Sequence, residues 1–494
     1  MKNTTISRFL CTFLLLILGM QSVWPEQGFI EEGGNIKTEN TASNAQQQVD
    51  VAFDTKALKK NYLVGILGMA TTNLVIMSWN KFVIGSGWAQ VTWDGVWPPW
   101  ERKVEFDTGW YWTNFVLHPY QGALYYMSAR NANLNVLESF LITGVGSAMW
   151  EYFGELNNPS INDLVYSSVG GFIVGEMLYR LGLEAQNKSN ILGFLFNPIR
   201  ILTDPLTGHK PNGSIGNIHA LSFKGGFNTA FTGTWFQREY DFSKEIFPFS
   251  GLIEAYVVYE DPYTHNSNVP YSQFELEMGG GVGVGSGFGI KPIEQKMMYD
   301  IHIFSNGMMF SRTVNWGENR NTSIGMVFDY DFMWHSFMEF SSIAPGFAIK
   351  QRVNYEKSKI EWQTHFCAIL LGSSDCYYFR RGLKKPTDKG TFQDYGYSFG
   401  GQIVGKLRWI HDRHILNGDF HGFAMYKFPY QRQSNAMKGW EFFGLLDLSY
   451  EYFVSKNLSL GISNELYIKK SLYKSESNFF SVLNAPSIYV RYSF

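Results

Sequence analysis

The sequence is short of charge, of cysteine and of clean apolar helical runs. Only 17% of its 494 residues are charged, and the formal net charge is −2. Such a balance gives no sign of a polybasic patch for nucleic acid or a membrane surface, so nucleic acid is not expected as a partner. Cysteine occurs three times. Cys11 falls inside an apolar leader, in the wrong context for a lipoprotein cysteine. Cys367 and Cys376 remain, either bridged across a small loop in an oxidising compartment or left as two free thiols. What is plentiful is aromatic surface. Aromatics make up 17% of the chain and glycines number 49, a composition that suits a lipid-facing protein better than a cytosolic enzyme.

The N-terminus sets the compartment. Lys2 and Arg8 precede the apolar run Phe9 to Leu18, and polar sequence follows from Gln21. This reads as a secretory signal peptide over residues 1–22, too short to serve as a membrane span. Residues 23–56 are polar and without periodicity, as a disordered linker is.

From residue 57 to 185 the pattern is helical, with apolar helices expected at 58–78, 110–130, 135–156 and 160–182. None is a convincing transmembrane span, because Thr71, Thr72, Asn73 and Glu176 interrupt them. Residues 186–215 are rich in Asn, Pro and Gly and read as a connector.

Beyond 216 the period changes to two. Leu458, Leu460 and Ile462 alternate with Ser459, Gly461 and Ser463; Ile324, Met326, Phe328, Tyr330 and Phe332 alternate with Ser323, Gly325, Asp329 and Asp331. Alternation over about ten residues is the signature of a transmembrane β-barrel. A soluble β-sandwich binding protein alternates similarly and is the competing fold. About twelve strands fit between 216 and 494, with "YEKSK" and "VSKN" as short periplasmic turns and 371–392 and 471–484 as long outer segments. The inward face carries both signs, including Glu275, Glu277, Lys350, Arg352, Glu361, Asp447, Glu451 and Glu465. That is the lining of a self-paired interior or of a selective pore. The last strand, "SIYVRYSF", puts Ile488, Val490, Tyr492 and Phe494 on one face. It resembles the C-terminal strand of bacterial outer-membrane barrels, which implies the barrel assembly machinery and outer-membrane lipid as partners.

The helical region holds the densest polar pattern: Asn114, His118, Tyr126, Arg130, Trp150, Glu151, Glu155, Asp163 and Glu176 form a candidate polar helical network. Glu151 and Glu155 are spaced to point the same way, as partners for His118 or Arg130. Ser160 and Asp163 fit a helix cap after Pro159. With one histidine and no E-x-x-H, no metal is expected, and no cofactor. Buried acids can also serve as general acids or bases, but hydrogen-bonded helix packing accounts for more of these residues.

The stretches "TNFVLHPYQGALYYMSAR", "SAMWEYFGELNNPSINDLVYSSVGGFIVGE" and "LLGSSDCYYFR" resemble the bacterial family known as domain of unknown function 3943 (DUF3943), of outer-membrane β-barrel type. The resemblance implies a protein of the Gram-negative envelope and carries no catalytic residue with it. A second likeness concerns "YTHNSNVP". His265, Ser267 and Asn268 resemble the active-site pattern of outer-membrane lipid hydrolases, which use a serine nucleophile and a histidine base. The position that follows is Val269, where that pattern expects glycine or alanine, and Pro262 and Pro270 mark the tetrapeptide as a connection.

The sequence therefore predicts an α+β protein: a small N-terminal helical bundle, periplasmic or in the barrel lumen, followed by an antiparallel transmembrane barrel of about twelve strands in the bacterial outer membrane. Its expected role is non-enzymatic, in transport, lipid handling or envelope assembly, with a His265/Ser267 lipid hydrolase as the alternative.

Overall fold

The structure is a computed structural model that describes residues 59–494, apart from Thr108, 209–216, 237–241, 289–292, 376–394, 429–437 and Ser475. The expected signal peptide and the linker at 23–56 lie outside the described residues. The chain divides into two units. The helical unit holds the described residues up to Glu105, then Leu117–Asn217 and Phe494; the barrel unit holds Phe106–Val116 and Ile218–Ser493.

The helical unit contains α1 (Tyr62–Ser78), α2 (Trp93–Val96), α3 (His118–Asn131), α4 (Val136–Met149), α5 (Ile161–Val165), α6 (Gly171–Lys188), α7 (Asn190–Phe196) and α8 (Arg200–Thr207). Local chemistry sets several ends. The Asn61 side chain accepts from Val64 N at the start of α1, and Asn135 with Glu138 forms a capping box at α4. Pro119 stands in the first turn of α3, where its missing N–H costs nothing. Four π-helical turns join these elements: Trp79–Ile84 after α1, Thr113–Leu117 before α3, Trp150–Gly154 after α4 and Tyr166–Gly170 between α5 and α6. The stretch expected to be a plain connector contains α7 and α8 instead, since Leu192 and Thr203 bury one face of each.

One sequence expectation changes here. Tyr62–Ile84 is, by length and composition, long and apolar enough to cross a membrane. The residues read as interruptions are satisfied internally. Thr72 Oγ1 donates to Gly68 O at 2.9 Å, and Asn73 Nδ2 donates to Gly146 O at 3.2 Å. Leu63, Leu67, Leu74, Val75 and Phe82 are left exposed.

The barrel unit closes twelve antiparallel strands: β1 (Ile218–Phe236), β2 (Phe242–Tyr259), β3 (Phe274–Phe288), β4 (Ile293–Asn315), β5 (Arg320–His335), β6 (Glu339–Asn354), β7 (Ser358–Asp375), β8 (Tyr395–His411), β9 (His414–Lys427), β10 (Gly439–Phe453), β11 (Leu458–Tyr473) and β12 (Phe479–Ser493). Each strand pairs with its chain neighbours, and β12 returns to β1, from Ser222 opposite Ser493 to Phe236 opposite Phe479. Full closure overturns the soluble sandwich, because no edge strand remains. The alternation reads out as expected: Ile324 and Met326, Leu460 and Ile462, Ile488, Val490 and Tyr492 are exposed, while Asp329, Lys350, Ser463 and Ser487 are buried. The segment 471–484 is not a long outer loop. Strands β11 and β12 extend through most of it, leaving 474–478 between them.

A stretch of the outer wall is covered rather than exposed. Tyr330, Phe332, Tyr395 and Tyr397 share a face with the exposed Ile324, Met326 and Phe399, yet they are buried. Phe106–Val116 packs over them within the barrel unit. Tyr111 stacks on Phe332 at 5.5 Å between ring centroids, and Phe115 meets Tyr395 edge-on at 5.4 Å. Tyr330 Oη donates to Phe115 O. Such aromatic pairs add about 0.5–1.5 kcal/mol each beyond the area they bury.

Candidate functional site

Two buried polar clusters form in the helical unit. In the first, Glu176 on α6 accepts from Tyr126 Oη at 2.8 Å and from Arg130 Nε at 2.9 Å, both on α3. Its second oxygen lies 2.7 Å from Arg180 Nη2, one turn along α6. All four side chains are buried. Arg130 also donates to Leu134 O at 2.9 Å. Burial lowers the affinity of that guanidinium for its proton, but the Glu176 carboxylate more than offsets this and the net pKa is raised. Three donors on one carboxylate lock α3 against α6, a structural role for the acid.

The second cluster runs through the loop between α4 and α5. Glu151 Oε2 accepts from Ser160 N at 2.8 Å, Ser160 Oγ donates to Asn162 Oδ1 at 2.7 Å, and Asn162 Nδ2 donates to Asp163 Oδ1 at 2.7 Å. Ser160 Oγ also caps α5 by accepting from Asp163 N at 3.3 Å. At the end stands His118, with Nε2 3.5 Å from Asp163 Oδ1 and Nδ1 3.2 Å from Ser167 Oγ. Burial lowers the imidazole pKa from 6.5 to about 4, which keeps the ring neutral.

The structure rearranges the expected network. Glu155 does not stand beside Glu151: the π turn Trp150–Gly154 ends the helix, and Glu155 lies in extended backbone, at φ −147° and ψ 158°. Arg130 pairs with Glu176 and His118 with Asp163, neither with Glu151 or Glu155. Asn114 belongs to the barrel unit, where its Nδ2 donates to the hydroxyls of Tyr395 and Tyr397 at 2.9 and 3.0 Å. Trp150 is buried edge-on against Trp88 at 6.0 Å. Arg180 and Ser167 escaped the sequence reading. The spacing Asp163 to Ser167, one helical turn, was the available signal.

The His265/Ser267 pattern lies on the connection between β2 and β3, as its prolines suggested. The Ser267 hydroxyl is 2.7 Å from Ser272 Oγ and 3.1 Å from Val269 O, whereas His265 Nδ1 faces Thr264 Oγ1 at 3.2 Å and Glu260 at 3.8 Å. Asn268 Oδ1 accepts from Arg312 Nη1 at 2.6 Å. Serine and histidine are thus engaged separately, in a braced turn.

Charged and apolar side chains of the barrel strands meet inside the barrel. Glu275 on β3 holds Lys350 on β6 at 2.9 Å and meets Lys406 on β8 at 3.5 Å. Glu441 on β10, Lys427 on β9, and Lys469 and Asp375 from β11 and β7 form another set, with 3.2 Å from Lys427 to Glu441 and 2.5 Å from Lys469 to Asp375. Between them Met308, Phe340, Phe423, Met425 and Phe443 form an apolar cluster. The rings of His335 on β5 and Tyr467 on β11 stack at 6.0 Å, although these strands stand opposite one another in the closed order. Cys367 is a free, buried thiol 3.4 Å from Asp329 Oδ2; Cys376 lies outside the described residues. Among the described residues, Glu254, Glu277 and His302 bring ligand-type atoms within 4.8 Å of one another. Lys224, at 2.8 Å from Glu254, and Asp300, at 3.3 Å from His302, already occupy that group.

Residues 103–204 match the family model described as "Domain of unknown function (DUF3943)". The DUF3943 span contains both helical clusters and Asn114, whereas "LLGSSDCYYFR" lies beyond it. No curated protein matches the chain. Among solved structures, the outer membrane protease OmpT from Escherichia coli is 7% identical, with a TM-score of 0.26, over 56% of this chain and 97% of that one. An outer membrane channel from Pseudomonas putida F1 is 11% identical, with a TM-score of 0.30, over 58% and 100%. A Pseudomonas aeruginosa FadL homologue is 10% identical, with a TM-score of 0.26, over 56% and 90%. One is a protease and another a channel, and at these scores neither activity passes to this chain.

Proposed function

We propose that this chain is an outer-membrane barrel that conducts nothing through its lumen and handles membrane amphiphiles instead. The observation that carries the first part is the stack of His335 on Tyr467 across opposite walls. A diffusion pore needs a continuous column of water, and ring-to-ring contact between opposite strands interrupts it. The charge pairs around Glu275 and Glu441 and the apolar cluster between them support the same reading.

Placement in lipid is supported by the exposed apolar face of the barrel, including Phe366, Leu370, Leu448, Leu460, Ile462 and Ile488. The terminal strand turns Ile488, Val490 and Tyr492 outward, and with Phe494 this supports recognition by the barrel assembly machinery. The amphiphile assignment draws on the exposed row of α1 and its π turn, Leu63, Leu67, Leu74, Val75 and Phe82. Water is a poor solvent for such a face, and lipid a good one.

Planar bilayers containing the full chain should show no single-channel steps; a steady conductance would overturn the closed-lumen reading. A photoactivatable phospholipid should attach to residues 62–84. Attachment confined to the barrel strands would remove the helical unit from lipid handling.

A further inference from the structure

We propose that Ser167, His118 and Asp163 form a nucleophilic acyl-transfer centre in the helical unit, acting on the ester bond of a membrane amphiphile. For its substrate class the inference rests on the lipid reading above; for its chemistry it rests on geometry alone.

The three groups stand in relay order. Ser167 Oγ is 3.2 Å from His118 Nδ1, and the other ring nitrogen is 3.5 Å from Asp163 Oδ1. With the proton on Nε2, facing the carboxylate, Nδ1 is an acceptor for the serine hydroxyl. A general base must lie within hydrogen-bond reach of the proton it takes, and a third group must orient it. The site is closed but not sealed: His118 is 9% exposed, Ser167 and Asp163 2% each. Exposed Leu117, Tyr120 and Ile161 flank it along the chain, an apolar border for an acyl chain.

A second observation is independent of the side chains. Ser167 lies within the π turn Tyr166–Gly170, Glu151 within the π turn Trp150–Gly154, and His118 directly follows the π turn Thr113–Leu117. A π turn inserts a residue into a helix and leaves its regular hydrogen-bond ladder, and such turns are frequent at functional sites. A buried neutral imidazole needs a partner on each ring nitrogen, and here those partners are a carboxylate and a serine hydroxyl.

The step balances with an ester and water. Ser167 Oγ attacks the carbonyl carbon while His118 Nδ1 takes the hydroxyl proton, and the Asp163 carboxylate steadies the imidazolium. The carbon–alkoxy bond breaks, and His118 returns the proton to the leaving alcohol. Water then attacks the Ser167 ester with His118 again as base, releasing the fatty acid and restoring the serine. Asp163 is a positioning residue, since it acts through His118.

The test uses the full chain in detergent micelles, treated with a fluorophosphonate and read by mass spectrometry of its peptides. The expected result is an adduct on Ser167 that is absent in Ser167→Ala and reduced about 100-fold or more in His118→Gln, the usual scale for loss of a general base. Asp163→Asn should shift the acidic limb of the labelling rate to lower pH, because a carboxylate favours the charged ring; loss of rate with an unmoved limb would overturn its positioning role. Heat-modifiable migration of each variant shows that the barrel is folded, and circular dichroism checks the helices. An unlabelled Ser167 in the folded wild-type chain overturns the centre. Release of fatty acid from phospholipid vesicles, lost in Ser167→Ala, supports the substrate class. An adduct together with hydrolysis of a water-soluble nitrophenyl ester but no vesicle lipid overturns the lipid reading alone. Lipid photo-attachment without an adduct overturns the centre alone.

Discussion

Gly122 and Ser167 meet backbone to backbone: a Cβ on Gly122 would stand 1.7 Å from the Ser167 carbonyl oxygen. Gly171 also lies close, its own Cβ position 2.6 Å from Gly122 Cα. This crossing of α3 with the π turn before α6 fixes where His118, one turn back from Gly122, faces Ser167.

Gly122→Ala should therefore part the two helices. The obstacle is backbone, which cannot rotate away, so a loss of about 1–3 kcal/mol or more is expected. Thermal circular dichroism should report the loss in the helical signal, and the fluorophosphonate adduct at Ser167 should fall with it. An alanine variant that melts and labels like the wild type would contradict the close crossing.

Glu176→Gln should be among the most damaging single changes in the helical unit. Glu176 is fully buried between Arg130 and Arg180. Its neutral replacement removes the carboxylate charge that faces two buried guanidinium groups. Breaking a buried pair from one side costs about 3–5 kcal/mol. Partial recovery by adding Arg130→Met to the same chain would assign the loss to the uncompensated charge; a double variant no more stable than Glu176→Gln would argue for lost shape instead.

In the barrel, Glu275→Gln removes the acid shared by Lys350 and Lys406, at 2.9 and 3.5 Å. Lys350 is 1% exposed, so water cannot take over the role of the acid. The barrel should lose its heat-modifiable form at a lower temperature, by an amount corresponding to several kcal/mol. An unchanged transition would mean that the lumen is wet at that level, contrary to the closed reading.

The helical unit should weaken as the pH falls from about 6.5 to about 4. His118 has its pKa lowered by burial from 6.5 to about 4, so the unfolded chain takes up the proton first. Its contribution to stability is whole above pH 6.5 and is lost progressively below, by on the order of 3 kcal/mol at the bottom of the window. The check is the thermal midpoint of the helical signal at pH 7 and pH 5, in wild type and His118→Gln. The variant should lose most of the dependence, and equal slopes in both would rule out His118 as its source.

Much of the barrel was legible because strand periodicity is local. Alternation in "SIGMVFDYDF" or "LSLGISN" depends only on neighbours two apart, and closure follows from strands that each need partners on both sides. The same rule failed at Tyr330 and Phe332. Alternation puts them on the lipid side, and only the packing of Tyr111 and Phe115 shows that they are covered. In the helical unit the sequence reading paired polar residues by helical spacing, and the structure pairs them otherwise. Glu151 with Glu155 is a sound pair on an unbroken α-helix, and the π turn at Trp150–Gly154 breaks it. Thr72 and Asn73 misled in the opposite direction: they read as interruptions, yet their partners, Gly68 O and Gly146 O, leave the helix apolar outside.

The sequence by itself determined the two-part plan, the strand alternation and the helix start after Pro159 at Ser160. Each of these follows from propensity, capping or a period of two or 3.6 residues, forces that act within a few residues along the chain. Tertiary structure alone decided that opposite barrel walls touch at His335 and Tyr467, that Glu176 takes both arginines, and that His118 stands between Asp163 and Ser167. Apart from the Glu176–Arg180 pair, one turn apart on α6, those contacts join residues 45 to 132 positions apart. No local preference encodes them; they arise where glycine crossings and π turns bring side chains within hydrogen-bond reach, and where an unpaired buried charge would be too costly to leave.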